Sequence, residues 1–480
     1  MTTSMPGGVD TFPTHSAGQT ILSADINNLG AALRATEQLV FGPLVLNVKG
    51  YGARGDGSTD DTAAIQAALN VAPTLAGTGI DIVLPPGQYN LTAPLLIRGT
   101  TRLRGAGTNQ VFLYGPGVTG ALIKSATTAT ILNHVVFAGF TINGGNSTTL
   151  TAGIDWTGMN TSTIDGVDVR NINTANAAGF TANGGTADSS GATLRDCGAY
   201  SIANGYGFYF QSLNGLNARG LKAMTNKMSF FLNAITEANL TDLLTSDNTN
   251  TGDAASMKVQ NCNRTTIKGL VADDNQWINV FVNGSTNCTF SGWAINDNNH
   301  AFSVANGGLL YVSGAKHCSF NGIELEFVYA TPIAGTVGLT LDNTSGGQNQ
   351  YDTWSGLHVN GTGNANLNAI HWVGGASGLG NQYKAVTLSG CGTYETPLET
   401  DVYGSVECRT GIVTRNSGAS TGTGAQQAIA HGLKFTPTRQ QIALWAGSAT
   451  AAPWHSAAPD ATNLYVTAAN GQPWYWATAG

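Results

Sequence analysis

Five carboxylates in the middle of the chain have the types and spacing that acid–base chemistry needs: Asp247, Asp274, Asp297, Glu324 and Glu326. The three aspartates each fall seven residues after an apolar position (Leu240, Ile267, Phe290), and each is followed by asparagine. Two of those apolar positions begin segments that read alike, TIKGLVADDNQW and TFSGWAINDNNH. If equal positions stack in successive turns of a coil, neighbouring carboxylates stand about 5 Å apart and next-but-one about 10 Å. Retaining glycosidases hold their two carboxyls about 5–5.5 Å apart and inverting ones about 6.5–9.5 Å. Like charges at that range raise one pKa, which suits a general acid. Trp277 and His300 each lie ten past their apolar marker and should stack, with Tyr329 close by. Rings beside carboxylates suit carbohydrate, so these three are the candidate substrate-binding groups.

The same letters also admit plainer readings. Asn and Asp suit tight turns, because they tolerate left-handed backbone and bond their own main chain. A recurring Asp-Asn is then a turn ladder. Glu324 and Glu326, in GIELEF, are not turn residues, but solvent-facing alternation on a strand accounts for them too. An elimination reaction would need a cation, or Arg or Lys, beside the uronate. Arg195, Arg219, Lys222, Arg264 and Lys268 lie on the repeats, yet none lines up beside an acidic group, so elimination ranks below hydrolysis. Asp273, Asp274 and Asp297 could hold a metal, but nothing in their spacing demands one, and no metal or cofactor is expected.

Such residues need elements to position them. The apolar marker recurs at 137, 164, 194, 218, 240, 267, 290, 320 and 354, with spacings from 22 to 34 residues. Each unit holds short runs of Ile, Val, Phe and Thr broken by Gly, Asn and Asp, without helical periodicity. Propeller blades need about 40 residues or more, which is too long. One turn of a parallel β-helix fits, its apolar face covered only by its neighbours and its uneven spacing absorbed by insertions at one corner. Cys288 and Cys318, both two before their markers, are expected to stack inside the coil, reduced and without a redox role. The six Cys form no CxxC pair, which argues against a zinc module or disulfide scaffold. With a net charge of −7, 21 Lys plus Arg and no basic run, nucleic acid is not an expected partner. No apolar stretch reaches membrane-spanning length, and the N-terminus lacks a secretory pattern, so a cytosolic product released by lysis is expected.

Toward the N-terminus stand YGARGDGSTDDTAAIQAAL, VLPPGQYNL and LRGAGTN. Here the chain resembles the pectin-lyase-like, right-handed parallel β-helix proteins, in the branch that includes phage tailspikes and polysaccharide depolymerases. The resemblance covers residues 45–115 well and the repeats to about 400 as a pattern. GDG reads as a tight turn, Ser58 to Asp61 start a helix over about 60–72, and Ile65, Ala68, Leu69 and Ala72 form its apolar stripe over the open end of the coil. Asp56, Asp60 and Asp61 are expected to serve turn and cap.

Residues 1–42 resemble the helical leaders that attach phage tail proteins to a tail or baseplate, although a plain helix or arm reads equally well. Residues 409–480 resemble the small β-sandwich at the end of many tail and spike proteins, with HGL at 431–433 and TP at 436–437. There His431 reads as a turn residue. Trp445, Trp454, Trp474, Tyr475 and Trp476 suit either a sugar platform or a core and trimer interface.

The expected fold is therefore all-β: a parallel β-helix over 43–408 with a leader and a C-terminal sandwich. The resemblance implies a homotrimeric virion spike that meets a host cell-surface glycan; the first expectation for function is binding with hydrolytic cleavage through the Asp and Glu residues on rungs 240 to 326. Two alternatives stay open: a non-enzymatic virion protein that binds or decorates, and a secreted polysaccharide lyase.

Overall fold

The computed structural model describes residues 45–71, 80–127, 131–184, 191–248, 255–273, 278–297, 308–327, 336–343, 348–373 and 381–393, then 402–403, 406–408, 417–421, 423, 425–430, 442–446, 453–459, 463–467 and 473–478. The main body is a right-handed parallel β-helix. Its ladder of parallel pairings runs from Val45–Asn47 to Val406–Cys408.

The expected marker column is the observed register. Phe137 pairs with Ile164, then come Leu194, Ala218, Leu240, Ile267, Phe290, Phe320 and Trp354 in unbroken succession. Leu103 continues the column below and Tyr383 above. All of these side chains are buried, because each rung's inward apolar residue is covered only by the rung on either side. Stacking is tightest near the top, where the Phe320 and Trp354 rings lie 4.0 Å apart and 4° from parallel.

Two residues past each marker the chain turns through left-handed backbone into a second sheet. Gly139, Gly166, Gly220, Gly269, Gly292, Gly322 and Gly356 take that conformation, which glycine adopts at no steric cost; Asp196, Asp242 and Ala385 take it in the other rungs. A second corner follows, where segments of unequal length separate the second sheet from a third, as between Ser246 and Ala255 or Asp297 and Gly308. Between the third sheet and the first, isolated parallel bridges such as Asn263 to Thr286 link successive rungs.

Helix α1 (Thr62–Leu69) buries Ile65, Ala68 and Leu69 against the N-terminal rungs. Asp61 precedes it without capping it. Its carboxylate instead accepts the Arg54 and Gly55 N–H groups at 2.7 and 3.0 Å, while Asp60 accepts that of Thr62 at 3.0 Å. Asp56 accepts Ser58 and Thr59, so the acidic cluster is occupied by turn and helix-start bonds. Among the described residues no helix is long and apolar enough to cross a membrane. Cys288 and Cys318 are free and buried on adjacent rungs, and burial pushes the thiols of Cys197, Cys262 and Cys391 up to about 12.

Toward the C-terminus the strands become antiparallel. Pro473–Thr478 lies between Ser417–Thr421 and Ile442–Ala446, and Asn463–Thr467 between Gln426–Ala430 and Trp454–His455. Residues 1–42, His431 to Leu433 and Thr436–Pro437 lie outside the described residues, as do the side chains of Trp445, Trp454, Trp474, Tyr475 and Trp476.

Candidate functional site

The outward face of the second sheet carries a column of ionisable groups. Side chains alternate in a strand, so the residues four and six past each marker point out together. Four past, the column reads Asp168, Gly198, Lys222, Leu244, Val271, Ala294, Glu324 and His358 from rung to rung. Six past, it includes Arg170, Tyr200 and Met224 at one end and Glu326 and Asn360 at the other.

At the lower end the groups close into a cleft of about 440 Å3 lined by Asp168, Arg170, Asn171, Tyr200 and Ser201. Arg170 Nη2 stands 3.6 Å from Asp168 Oδ2, and its guanidinium lies 5.9 Å from the centre of the Phe112 ring. Burial raises the Asp168 pKa above the usual aspartate range, although Arg170, Lys222 and the Gly198 N–H pull against it. Burial, then the nearby Asp168 charge, raises the Tyr200 phenol as well. The cleft therefore offers a carboxylate made more basic than usual, a phenol held protonated, and the Arg170 cation, with the Lys222 charge acting on the same carboxylate.

This corrects one expectation. Lys222 does line up with an acidic group, two rungs from Asp168 with a side-chain-free glycine between them, and Arg170 stands beside the same carboxylate. The aligned column lies four past the markers, not seven. Arg264 also meets an acid, Glu237 at 2.9 Å, but both are exposed, and such surface pairs contribute little.

The sequence candidates fall as follows. Glu324 and Glu326 lie on the same outward face, several rungs above the cleft. Glu324 is exposed with His358 Nδ1 at 3.7 Å, and Glu326 accepts from Asn360 Nδ2 at 3.3 Å. Asp297 ends its strand paired with Phe327, one position beyond the Asn296–Glu326 pair. Asp247 sits at the second corner with φ 53°, in line with left-handed Asn171, Ser201 and Thr225 seven past their own markers. Its neighbour Asn248 is buried and accepts from Asn226 N and Ser229 Oγ. At this rung the Asp-Asn pair shapes a turn. The register brings Ser246 against Asp273 and Ala272 against Ile295, but Asp274, Trp277, His300 and Tyr329 lie outside the described residues, as does the Asp297 side chain. Among the described residues no three His, Cys, Asp or Glu side chains gather as metal ligands would.

Residues 45–266 match a family model described as rhamnogalacturonase A/epimerase, pectate lyase-like. The fold is that of the pectin-lyase-like parallel β-helices. The A-module of mannuronan C-5 epimerase AlgE4 from Azotobacter vinelandii superposes with a TM-score of 0.52 at 17% identity, over 75% of this chain and all of that one. The tailspike protein gp49 of Pseudomonas phage LKA1 superposes with a TM-score of 0.51 at 10% identity, over 90% of this chain and 99% of that one. Mannuronan C5-epimerase AlgE6 from Azotobacter vinelandii is 42% identical over 74 residues. That match spans 14% of this chain and only 8% of the epimerase.

Proposed function

We propose that this chain is a phage-type spike that binds a uronate-bearing surface polysaccharide on the second sheet and breaks it in the Asp168 cleft by elimination. The observation that carries the reading is the half-buried Asp168 carboxylate beside Arg170, Tyr200 and Lys222. Abstracting a proton next to a sugar carboxylate leaves negative charge on that carboxylate, and fixed cations stabilise it. Asp168, with its raised pKa, takes the C5 proton; the electron pair forms the C4–C5 double bond; the C4–O bond breaks; the Tyr200 hydroxyl protonates the departing oxygen. Arg170 and Lys222 face the uronate. The likeness to epimerase and tailspike folds supports a polysaccharide ligand, and an assembly of three chains with residues 1–42 on the tail belongs to the same reading. A second reading is hydrolysis across Glu324 and Glu326, favoured by His358 beside Glu324 and by their position on the same face.

Polymannuronate tests the first reading. The protein should release unsaturated oligosaccharides, seen as new ultraviolet absorbance, and Asp168→Asn or Tyr200→Phe should each slow release by about 10²–10⁴. New reducing ends without that absorbance, abolished by Glu324→Gln, would establish hydrolysis instead. Retention on the glycan with no product at all would leave a binding protein. Sedimentation should return three copies, and deletion of 1–42 should abolish joining to the particle without dissociating them.

A further inference from the structure

The third sheet carries a different surface. Its outward column reads Tyr209, Phe231, Lys258, Phe281 and Tyr311 from rung to rung. All five are half-buried on the outside of a sheet whose alternate positions fill the core. Tyr209 and Phe231 lie 5.1 Å apart, as adjacent rungs dictate. The Lys258 ammonium sits between two rings, 5.7 Å from the centre of Phe231 and 5.3 Å from that of Phe281. Two residues on, a parallel column reads Gln211, Asn233, Gln260 and Asn283, all facing outward. Tyr209 Oη donates to Gln211 Oε1 at 3.0 Å, tying the columns together, while the Asn233 Oδ1 is buried without a hydrogen-bond partner.

We infer that this face is a second glycan-binding surface, separate from the Asp168 cleft, that holds an extended acidic polysaccharide along the coil. A sugar ring offers an apolar C–H face and a rim of hydroxyls. Aromatic rings at four of the five rungs meet the first, and carboxamides, which donate and accept at once, meet the second. A protein partner would ask for apolar neighbours at the centre of the patch, not amides beside Tyr209, Phe231 and Phe281. Lys258, the one cation within the ring column, gives the ligand its sign: its charge, spread over two ring faces, complements a uronate carboxylate. The ligand class rests on the function proposed above; the location does not.

The test uses the full chain in the Asp168→Asn background, so that binding is read without turnover, by native electrophoresis through gels containing polymannuronate or neutral dextran. The parent should be retarded by polymannuronate. Adding Phe281→Ala should weaken retardation about tenfold. Lys258→Gln, a milder change, should weaken it on polymannuronate and leave behaviour on dextran unchanged. Wild-type affinity in both variants would overturn the inference. So would dissociation of Phe281→Ala into single chains in sedimentation, which would make the face an interface between copies. If the protein shows no elimination yet binding still depends on Phe281 and Lys258, this surface stands and the cleft reading falls.

Discussion

Between Asp168 and Lys222 stands Gly198, with a backbone conformation open to any residue. Glycine is there for space. A Cβ would run into the Tyr200 ring and come within 2.6 Å of Asp168 Oδ1. Gly198→Ala should therefore displace acid and base together, costing about a hundredfold in turnover and about 1–3 kcal/mol in a urea titration. Titration gives a second expectation for the same cleft. The folded Asp168 pKa lies above its unfolded value, so folded protein binds the extra proton and stability falls as pH rises through the interval between them. Asp168→Asn removes that penalty: above the interval it should melt no lower than the parent while having lost activity. Catalysis has the opposite slope, because the base must be ionised, so the acid limb of the rate should sit above the ordinary aspartate value of about 3.9. This column was within reach of the sequence. Asp168, Gly198 and Lys222 are each four past the markers 164, 194 and 218. What letters alone withheld was burial: TIDGVDVRN reads as an ordinary strand with polar residues outward, and only the packed coil shows that one of those carboxylates is half removed from water.

The corners show why some elements were legible and others not. The glycine two past the marker recurs in plain view, because left-handed backbone at every rung leaves few residue choices. The second corner is written in a looser alphabet: Asn171, Ser201, Thr225 and Asp247 hold the same conformation with different side chains. One position on, two residues do the structural work. Asn226 accepts the Ile202 N–H at 2.9 Å and donates to the Ala199 carbonyl at 3.1 Å; Asn248 in turn accepts the Asn226 N–H at 3.2 Å and donates to Thr245 Oγ1 at 2.7 Å. Both are fully buried. Removing the Asn226 amide leaves a buried donor and acceptor unpaired, so Asn226→Ala should cost about 1–3 kcal/mol. Asn204→Ala, at an exposed amide bonded to Asn173, should stay within about 0.5 kcal/mol. Equal losses in the two variants would mean that the ladder is decoration.

At the scale of the whole molecule, the coil is a one-dimensional stack, and its stability is a sum of rungs and the contacts between neighbours. That is why the marker series predicted the register through Trp354: any slip would turn apolar residues outward along the entire wall. The leader and the aromatic residues near the C-terminus offered no such repeat, and there the sequence supported several readings at once. A stack of this kind should fail locally. Phe290, Phe320, Trp354 and Tyr383 run up the centre of the upper rungs, with ring centroids 4.9, 4.0 and 6.4 Å apart in succession. Trp354 is 1% exposed and touches a ring on either side, so truncating it opens a cavity that a parallel ladder cannot collapse to fill. Trp354→Ala should cost about 3–5 kcal/mol, and the loss should not be shared evenly. Hydrogen exchange should show Thr353–Ser355 and the strands bonded to it, Ser319–Phe327 and Gln382–Lys384, losing protection first. Val136–Ser147 and Thr163–Ile172, many rungs below, should exchange as in the parent, because no contact links them to the cavity except through the intervening turns. A uniform loss of protection from Val45 to Cys408 would show that the coil melts as one cooperative block and that the neighbour-by-neighbour account of its stability is wrong.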